Sequence, residues 1–228
     1  MSPEEADWFA RALAQFGQRD LAPLINIGSS TAKYRTTSTV AERLFEPLAR
    51  RGVKVLHLDQ KGDPGVDIVG DILDPAVFET ARQARPQSIL CNNVLEHVAD
   101  RDAFIRQCLN LLPPAGLLFL SVPRHYPYHP DPIDTGYRPD LPQLQEAVQP
   151  CELVRGEIVP FGNYWGQLRA KKWLILRDLY LLPAGFLQRD RWKVLIQNYR
   201  YLFSNFEVCC AIFRKSEQRH RAPAKVIG

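Results

Sequence analysis

The sequence of 228 residues has no apolar run that approaches the roughly 20 residues needed to span a bilayer. It also begins without a basic segment followed by an apolar run, which is not typical of a signal peptide. Both absences predict a cytoplasmic protein that could associate with a membrane surface.

Cysteine is scarce and irregularly placed. The five cysteines, at positions 91, 108, 151, 209 and 210, show no metal-type spacing. Cys209 and Cys210 are adjacent, which argues against a strain-free bridge between them. An odd number of cysteines in apolar segments is typical of buried free thiols in a reducing compartment. The histidines and acids also lack ligand spacing, so the sequence predicts no metal site.

The composition predicts one domain with an uneven charge. Hydrophobic residues make up 46% of the chain, enough for one substantial core. We expect one domain over residues 1–215, with a helical insertion at about 165–203, and a disordered tail over 216–228. Residues 166–228 carry 13 basic and four acidic side chains, although the net charge of the whole chain is only +4.

Apolar strand-like runs alternate with helical patterns along the chain. After a first helix through Phe16, this alternation predicts an α/β fold with a doubly wound parallel sheet. A polar loop is expected over residues 29–39. The predicted strands cover residues 24–28, 53–59, 67–69, 88–91, 117–122, 151–159 and 206–213, and the predicted helices between them cover 40–51, 75–84, 102–112 and 141–148.

Four features stand at the ends of consecutive predicted strands: Gly28, Asp59, Asp71 and the pair Asn92-Asn93. Ligands of open α/β sheets bind at these carboxyl ends. Gly28 permits close approach of a ligand to the backbone. Asp59 could accept both hydroxyls of a ribose, and Asp71 could accept from an adenine amino group. The set suits a nucleoside that carries a charged amino-acid tail, which the two asparagines would meet.

The fourth strand, the turn NNVLEHV (residues 92–98) and the segment LLPPAGLLFLSVP (residues 111–123) resemble class I S-adenosylmethionine-dependent methyltransferases. The likeness is to small bacterial enzymes with the LEHV turn, the methyltransferase type 11-like group. It implies a Rossmann-like, mostly parallel seven-stranded sheet whose last strand is antiparallel and follows a helical insertion. It also implies methyltransferase activity with S-adenosylmethionine as cofactor, bound by Ile27, Gly28, Ser29, Asp59, Gln60, Asp71, Ile72, Asn92 and Asn93.

The first motif departs from the family pattern of an acid followed by three alternating glycines. Here Asn26 replaces the acid, and Ser30 and Ala32 replace the later glycines. This leaves a second hypothesis, a methyltransferase-like module that has lost activity and serves in binding or assembly. A nicotinamide-dinucleotide site fits poorly, because it expects three glycines and an acid about 20 residues later.

A proline-rich loop over residues 124–139 follows the fifth predicted strand and is the candidate substrate segment. Its part HPDPIDTGYR (residues 129–138) resembles a segment of methyltransferases that act in polysaccharide and antibiotic pathways. The acceptor is therefore predicted to be a small molecule or glycan, methylated at oxygen. His129 is the first choice of base, with Asp134 orienting it or binding substrate. Two alternatives stay open: Asp134 could pair with Arg138, and His125 could be the base.

Two further predictions concern His97 and the insertion. His97 is interpreted as a hydrogen-bonded residue that packs under the cofactor cleft. Residues 165–203 interleave Trp, Tyr and Leu with basic residues, a pattern that favours two amphipathic helices. They could form a lid, rest on anionic lipid, or pack on the core or at a dimer contact. The pattern disfavours nucleic acid as a partner, and it leaves the oligomeric state open.

Overall fold

Seven strands form one sheet in a computed structural model that describes residues 1–129, 131–181 and 195–217. The strands are β1 (Leu24–Ile27), β2 (Val55–Asp59), β3 (Ile68–Val69), β4 (Ser88–Asn92), β5 (Leu117–His125), β6 (Glu152–Phe161) and β7 (Phe206–Arg214). Their order is β3-β2-β1-β4-β5-β7-β6, and β7 is antiparallel to both of its neighbours. The remaining pairs are parallel. The predicted doubly wound α/β fold with an antiparallel last strand is confirmed.

Helices cover both faces of this sheet. The described helices are α1 (Pro3–Leu13), α2 (Gln18–Leu21), α3 (Ala32–Thr37), α4 (Glu46–Arg50), α5 (Pro75–Gln83), α6 (Arg101–Leu111), α7 (Leu141–Ala147), α8 (Tyr164–Ala170) and α9 (Trp173–Leu181). A π-helical turn over Ala41–Phe45 precedes α4. One hydrophobic cluster joins the sheet to α5, α6 and α7, and the other joins it to α1, α2, α4 and the π-helical turn. The apolar strands are therefore buried on both faces, as parallel sheets require.

The strand order reverses at β1. In parallel register, Ile27 pairs with Leu58 of β2 on one side and with Cys91 of β4 on the other. Such a reversal opens a crevice at the carboxyl ends of the strands, where doubly wound sheets bind their ligands. The predicted ligand features of β1, β2 and β4 therefore converge at one edge of the sheet.

The first helix begins as its sequence predicts. The Ser2 hydroxyl accepts from the Glu5 backbone, and the Glu5 carboxylate accepts from the Ser2 backbone, which completes a capping box. Trp8 and Phe9 are buried against the sheet, and Trp8 Nε1 donates to Glu157 at 2.7 Å.

Two segments differ from the sequence prediction. The polar loop over residues 29–39 contains helix α3, which begins where the Thr31 hydroxyl accepts from the Tyr34 backbone. The proline-rich loop begins later than expected, because Arg124 and His125 belong to β5. Pairing with β7 continues to His125 across an irregularity after Pro123, so backbone hydrogen bonds extend the strand despite the proline.

The insertion forms α8, α9 and a helical turn over residues 195–199. The predicted break at residues 183–185 lies outside the described residues, and so does the predicted tail from residue 218 onward. In the described ranges, no helix has the length and apolar character needed to cross a membrane. The five cysteines are free and buried, as predicted.

Phe119 tests the contribution of the core beneath α1. The side chain is fully buried in β5 and meets the ring of Phe16 edge-on at 5.8 Å. We expect Phe119→Ala to lower the free energy of unfolding by about 3–5 kcal/mol, because truncation leaves a cavity. Urea unfolding followed by circular dichroism measures the change.

Phe203→Ala is the matched control for this substitution. Phe203 is 77% exposed, so the same truncation should change the free energy of unfolding by no more than about 0.5 kcal/mol. Equal losses in the two variants would contradict the description of this core.

Candidate functional site

A cavity of about 840 Å³ lies at the carboxyl ends of β1, β2 and β4. This volume is within the range of small-molecule and cofactor sites. Its lining includes every residue predicted to contact the cofactor, namely Ile27, Gly28, Ser29, Asp59, Gln60, Asp71, Ile72, Asn92 and Asn93. The structure therefore brings residues that lie up to 66 positions apart in the chain to one cavity.

Gly28 permits the close approach of two segments in the cavity wall. Its φ is +73°, a value that favours glycine. A Cβ built on Gly28 would lie 2.4 Å from Cγ2 of Val94. Val94 belongs to the NNVLEHV turn, so the one retained glycine of the first motif is required where β1 and β4 end side by side.

Asp59 holds the backbone at two edges of the cavity. Its carboxylate accepts from the Ser30 backbone at 2.8 Å and from the Lys61 backbone at 2.9 Å. Ser30 has a φ of +61° without being glycine. The loop after β1 therefore keeps a tight turn despite the missing glycines, and each carboxylate oxygen retains a second lone pair for a ligand.

Arg35 is a contributor to this loop that sequence reasoning missed. Its guanidinium is buried, donates to the backbone oxygens of Ser29 and Ser30, and donates to the Pro64 carbonyl at 2.6 Å. It also lies 3.6 Å from Asp63. The arginine thus ties the loop after β1 to the loop after β2. No local pattern indicates this role, because two of its partners are about 30 residues away.

Asp71 and its neighbours form the wall beside β3. The Asp71 carboxylate accepts from Gln60 Nε2 at 3.0 Å and from the Leu73 backbone at 2.9 Å. Ile72 is buried beneath them. This wall offers one carboxylate and one apolar surface, which suits the edge and face of a heteroaromatic ring.

The two asparagines after β4 have different surroundings. The side chain of Asn93 donates to the carboxylate of Glu5 at 3.1 and 3.2 Å, so α1 holds it. The side-chain oxygen of Asn92 accepts from Ser121 at 3.2 Å. Asn92 Nδ2 is buried and has no hydrogen-bond partner among the described residues. The backbone N–H of Asn93 donates to the Ser121 carbonyl at 2.9 Å, so α1 and β5 hold these two residues at the end of β4.

Asp134 organises the proline-rich loop. Its buried carboxylate accepts from Arg138 at 2.6 and 3.1 Å and from the backbones of His129 and Gly136, both at 2.9 Å. Burial opposes ionisation, but the hydrogen bonds from Arg138 and the two amides hold the pKa of Asp134 well below its usual range. The pairing of Asp134 with Arg138, left open by the sequence, is confirmed.

The histidines of the loop face different parts of the molecule. His125 Nδ1 lies 3.0 Å from the Asn205 carbonyl, and its ring packs on Tyr201 beside the insertion. His129 lies on the cavity side, where its ring meets the ring of His97 edge-on at 5.1 Å. His97 itself lines the cavity and has a hydrogen bond from Nδ1 to the Ile133 carbonyl. His129 is therefore the loop histidine beside the cleft.

Glu96 was missed by the sequence reasoning and lies beneath both of these histidines. The residue is fully buried, and neither carboxylate oxygen has a hydrogen-bond partner among the described residues. Its Oε1 lies 3.7 Å from Nε2 of His97 and 3.8 Å from Nε2 of His129. Desolvation by burial raises the pKa of Glu96 to about 8. Only its place in LEHV could have drawn attention to it.

Comparison with known proteins identifies the family. The profile of a family described as "Methyltransferase domain" matches residues 43–217. A ubiquinone biosynthesis O-methyltransferase of Chelativorans sp. (strain BNC1) is 34% identical over 90 residues, which cover 34% of this chain. The match spans only 35% of that relative.

Solved structures agree with the fold. A SAM-dependent methyltransferase from Archaeoglobus fulgidus has a TM-score of 0.54 and 11% identity, with 94% of this chain and 95% of that chain covered. The [4+2]-cyclase SpnF has a TM-score of 0.52 and 13% identity, with 92% and 80% covered. At these identities the likeness concerns the fold alone.

The cavity fits S-adenosylmethionine on its own chemistry. Asp59 and Asp71 present two carboxylates with spare lone pairs in the cavity lining, and Ile72 presents an apolar side chain there. These groups match a ribose diol, an adenine amino group and the face of the adenine ring. The chain belongs to the methyltransferase domain family, and its cofactor is S-adenosylmethionine.

Proposed function

We propose that this protein transfers a methyl group from S-adenosylmethionine to a hydroxyl oxygen of a small molecule or glycan. The observation that carries the proposal is the position of His129, whose ring packs at a centroid distance of 5.1 Å against His97, a residue of the cavity lining. The relative from Chelativorans, which is an O-methyltransferase by name, supports oxygen as the acceptor atom.

When bound, S-adenosylmethionine supplies an electrophilic methyl group on a sulfonium that leaves as a neutral thioether. The protein has to orient the acceptor and exclude water, and orientation alone contributes about 7–11 kcal/mol to lowering such a barrier. His129 Nε2 accepts the proton as the acceptor oxygen forms its bond to the methyl carbon. Burial lowers the pKa of His129, so the imidazole is neutral and able to accept a proton at neutral pH.

Asp134 acts in this proposal as a positioning residue. Its carboxylate accepts from the His129 backbone at 2.9 Å and lies 3.3 Å from His129 Nδ1. Arg138 holds the same carboxylate in place. Nε2 of His129 is thereby turned toward Glu96, because Nδ1 faces Asp134 and the Pro127 carbonyl.

The cofactor is assigned to the predicted residues by position. Asp59 would accept the ribose hydroxyls, while Gln60, Asp71 and Ile72 would meet the adenine. Asn92, Asn93 and the backbone of residues 27–29 would meet the methionine end. These assignments rest on the lining of the cavity.

The alternative, an inactive methyltransferase-like module, rested on the glycines replaced by Ser30 and Ala32. The turn at Ser30 keeps a positive φ and is held by Asp59 and Arg35. The cavity therefore does not depend on those glycines. This observation favours the catalytic proposal over the binding module.

Asp59 tests the cofactor assignment. We expect Asp59→Asn to weaken the binding of S-adenosylhomocysteine by about 10-fold to 100-fold, because a hydrogen bond to a charged group contributes about 1.5–3 kcal/mol. Titration calorimetry measures the affinity.

Asp71→Asn serves as the graded comparison for Asp59. We expect Asp71→Asn to reduce the affinity for S-adenosylhomocysteine less than Asp59→Asn does. It alters one hydrogen bond to a neutral amino group, and such a bond contributes about 0.5–1.5 kcal/mol. If Asp59→Asn binds S-adenosylhomocysteine as tightly as the parent protein, the ribose assignment is wrong.

His129 tests the proposed chemistry. We expect His129→Ala to lower turnover by about 10²–10⁴-fold and to leave the affinity for S-adenosylhomocysteine unchanged. Release of S-adenosylhomocysteine from S-adenosylmethionine is followed with hydroxyl probes, namely 3,4-dihydroxybenzoate and methyl glycosides.

His125→Ala is the matched control, because His125 packs against Tyr201 on the insertion side. Turnover in His125→Ala should stay close to that of the parent. Unchanged turnover in His129→Ala would exclude His129 as the base, and absence of turnover in the parent protein with every acceptor class would favour the binding module.

A second proposal concerns the exposed face of α9. Trp173, Leu176, Leu179 and Tyr180 are each 59–70% exposed, although helices normally bury such residues. Lys171 and Lys172 precede them, and residues 166–228 carry the excess of basic charge. We propose that this apolar face with its basic flank rests on an anionic lipid surface.

Vesicle co-sedimentation tests this contact. The protein should sediment with phosphatidylserine-containing vesicles at low salt and be released at high salt, because exposed charges are screened. Leu176→Asp should weaken sedimentation, whereas Val154→Asp, which changes an exposed residue of β6, should not. Absence of co-sedimentation at low salt would leave a lid or a dimer contact as the role of α9.

A further inference from the structure

Three acceptor atoms face one another at the wall of the cavity. Oε1 of Glu96, Nε2 of His97 and Nε2 of His129 all lie within 4.8 Å of one another. The two histidines come from different segments, the LEHV turn and the proline-rich loop. His97 and His129 are 32 positions apart in the chain, so the spacing of residues in the sequence does not indicate that they lie together.

The protonation of each imidazole follows from its outer contact. Nδ1 of His97 lies 2.5 Å from the Ile133 carbonyl, and Nδ1 of His129 lies 3.1 Å from the Pro127 carbonyl. A carbonyl oxygen can only accept, so each Nδ1 must carry the proton and donate. In the neutral ring, Nε2 is then an unprotonated lone pair. Both Nε2 atoms point toward the Glu96 side of the ring pair, as their distances to Oε1 show.

When Glu96 is ionised, the cluster has no donor of its own. Two imidazole lone pairs face a fully buried carboxylate whose two oxygens have no hydrogen-bond partner among the described residues. Arg138 is the nearby positive charge that favours ionised Glu96, but its guanidinium is already paired with Asp134. Glu5 and Asp134 add further negative charge around Glu96. A buried carboxylate is stable only when a cation or a proton satisfies it.

We propose that Glu96, His97 and His129 bind a divalent transition-metal ion, such as zinc, beside the cofactor cavity. Zinc bonds to imidazole nitrogen and carboxylate oxygen are about 2.0–2.2 Å long, which places tetrahedral ligand atoms about 3.4 Å apart. The two separations from Glu96 Oε1 are 3.7 and 3.8 Å, and the two Nε2 atoms lie within 4.8 Å of each other, so the two rings have to close around the ion. Two imidazoles and one carboxylate are a typical catalytic zinc set, which leaves a coordination position open.

The two histidines of the cluster have the hydrogen-bond partners that metal-ligating histidines have in other proteins. Such histidines donate the second ring N–H to a carbonyl or carboxylate, which fixes the tautomer and the ring orientation. Both histidines do so here, and Asp134 lies 3.3 Å from Nδ1 of His129 as an additional partner. Of the three residues, His97 also lines the cavity, so the cluster adjoins the space where the cofactor and substrate would bind.

This inference deepens the proposed function. It rests on the proposed function in one respect only, namely that the oxygen that binds the ion belongs to the acceptor hydroxyl. With the ion in place, Nε2 of His129 is a ligand, and the cation lowers the pKa of the acceptor hydroxyl. That role would replace proton acceptance by His129 in the proposal above. Binding of the ion can be measured without any acceptor.

The experiment is a calorimetric titration of zinc chloride into tag-free, full-length protein that has been stripped of metal with a chelator. We expect one equivalent to bind. Glu96→Gln, which keeps the size of the side chain, and His129→Ala should each weaken binding by about 100-fold or more. His125→Ala should bind zinc like the parent. Thermal melting of each variant shows that it remains folded.

Either of two outcomes would overturn the site: no zinc binding by the parent, or binding that both Glu96→Gln and His129→Ala retain. In either case a proton on Glu96 satisfies the cluster. If the chelated parent protein also keeps full turnover with the hydroxyl probes, the proposed function stands with His129 as base. One equivalent of zinc in a protein without turnover would support the metal site and contradict the proposed function.

Discussion

The parallel pairing of β1 with β4 is the constraint on which the site depends. It aligns Ile27 with Cys91, so both strands end at the same level. Gly28 then meets Val94 so closely that no Cβ fits between them. The two buried apolar strands need one another to satisfy their backbone groups, and the ligand-facing loops follow from that pairing. Without this register, the residues of the first and fourth motifs would not share a cavity.

The Glu5 carboxylate links the first helix to the end of the sheet. It accepts from the Ser2 backbone at the start of α1, from the Asn93 side chain after β4, and from the Ser121 hydroxyl in β5. One buried acid therefore serves both the helix cap and the sheet. A helix outside the recognisable motifs thus shapes the end of the cavity that would receive the methionine part of the cofactor.

The proline-rich loop is ordered by hydrogen bonds and not by regular structure. The Asp134 carboxylate gathers two backbone amides and the Arg138 guanidinium, and the Thr135 backbone donates to the Glu96 carbonyl at 2.8 Å. These contacts hold His129 near the LEHV turn. A loop that is fixed in this way can position a functional side chain although it has no regular secondary structure.

The sequence alone determined the sheet, most helices and a set of residues that line the cavity. Apolar runs, caps and strand-end acids are local patterns, and parallel strands necessarily place their carboxyl ends together. Tertiary structure alone decided that His129 packs on His97, that Arg35 ties the loop after β1 to the loop after β2, and that Glu96 meets the imidazole of His129. Those contacts join residues about 30 positions apart in the chain, through loops whose course no local pattern encodes. They depend on how buried polar groups find partners once the sheet has formed.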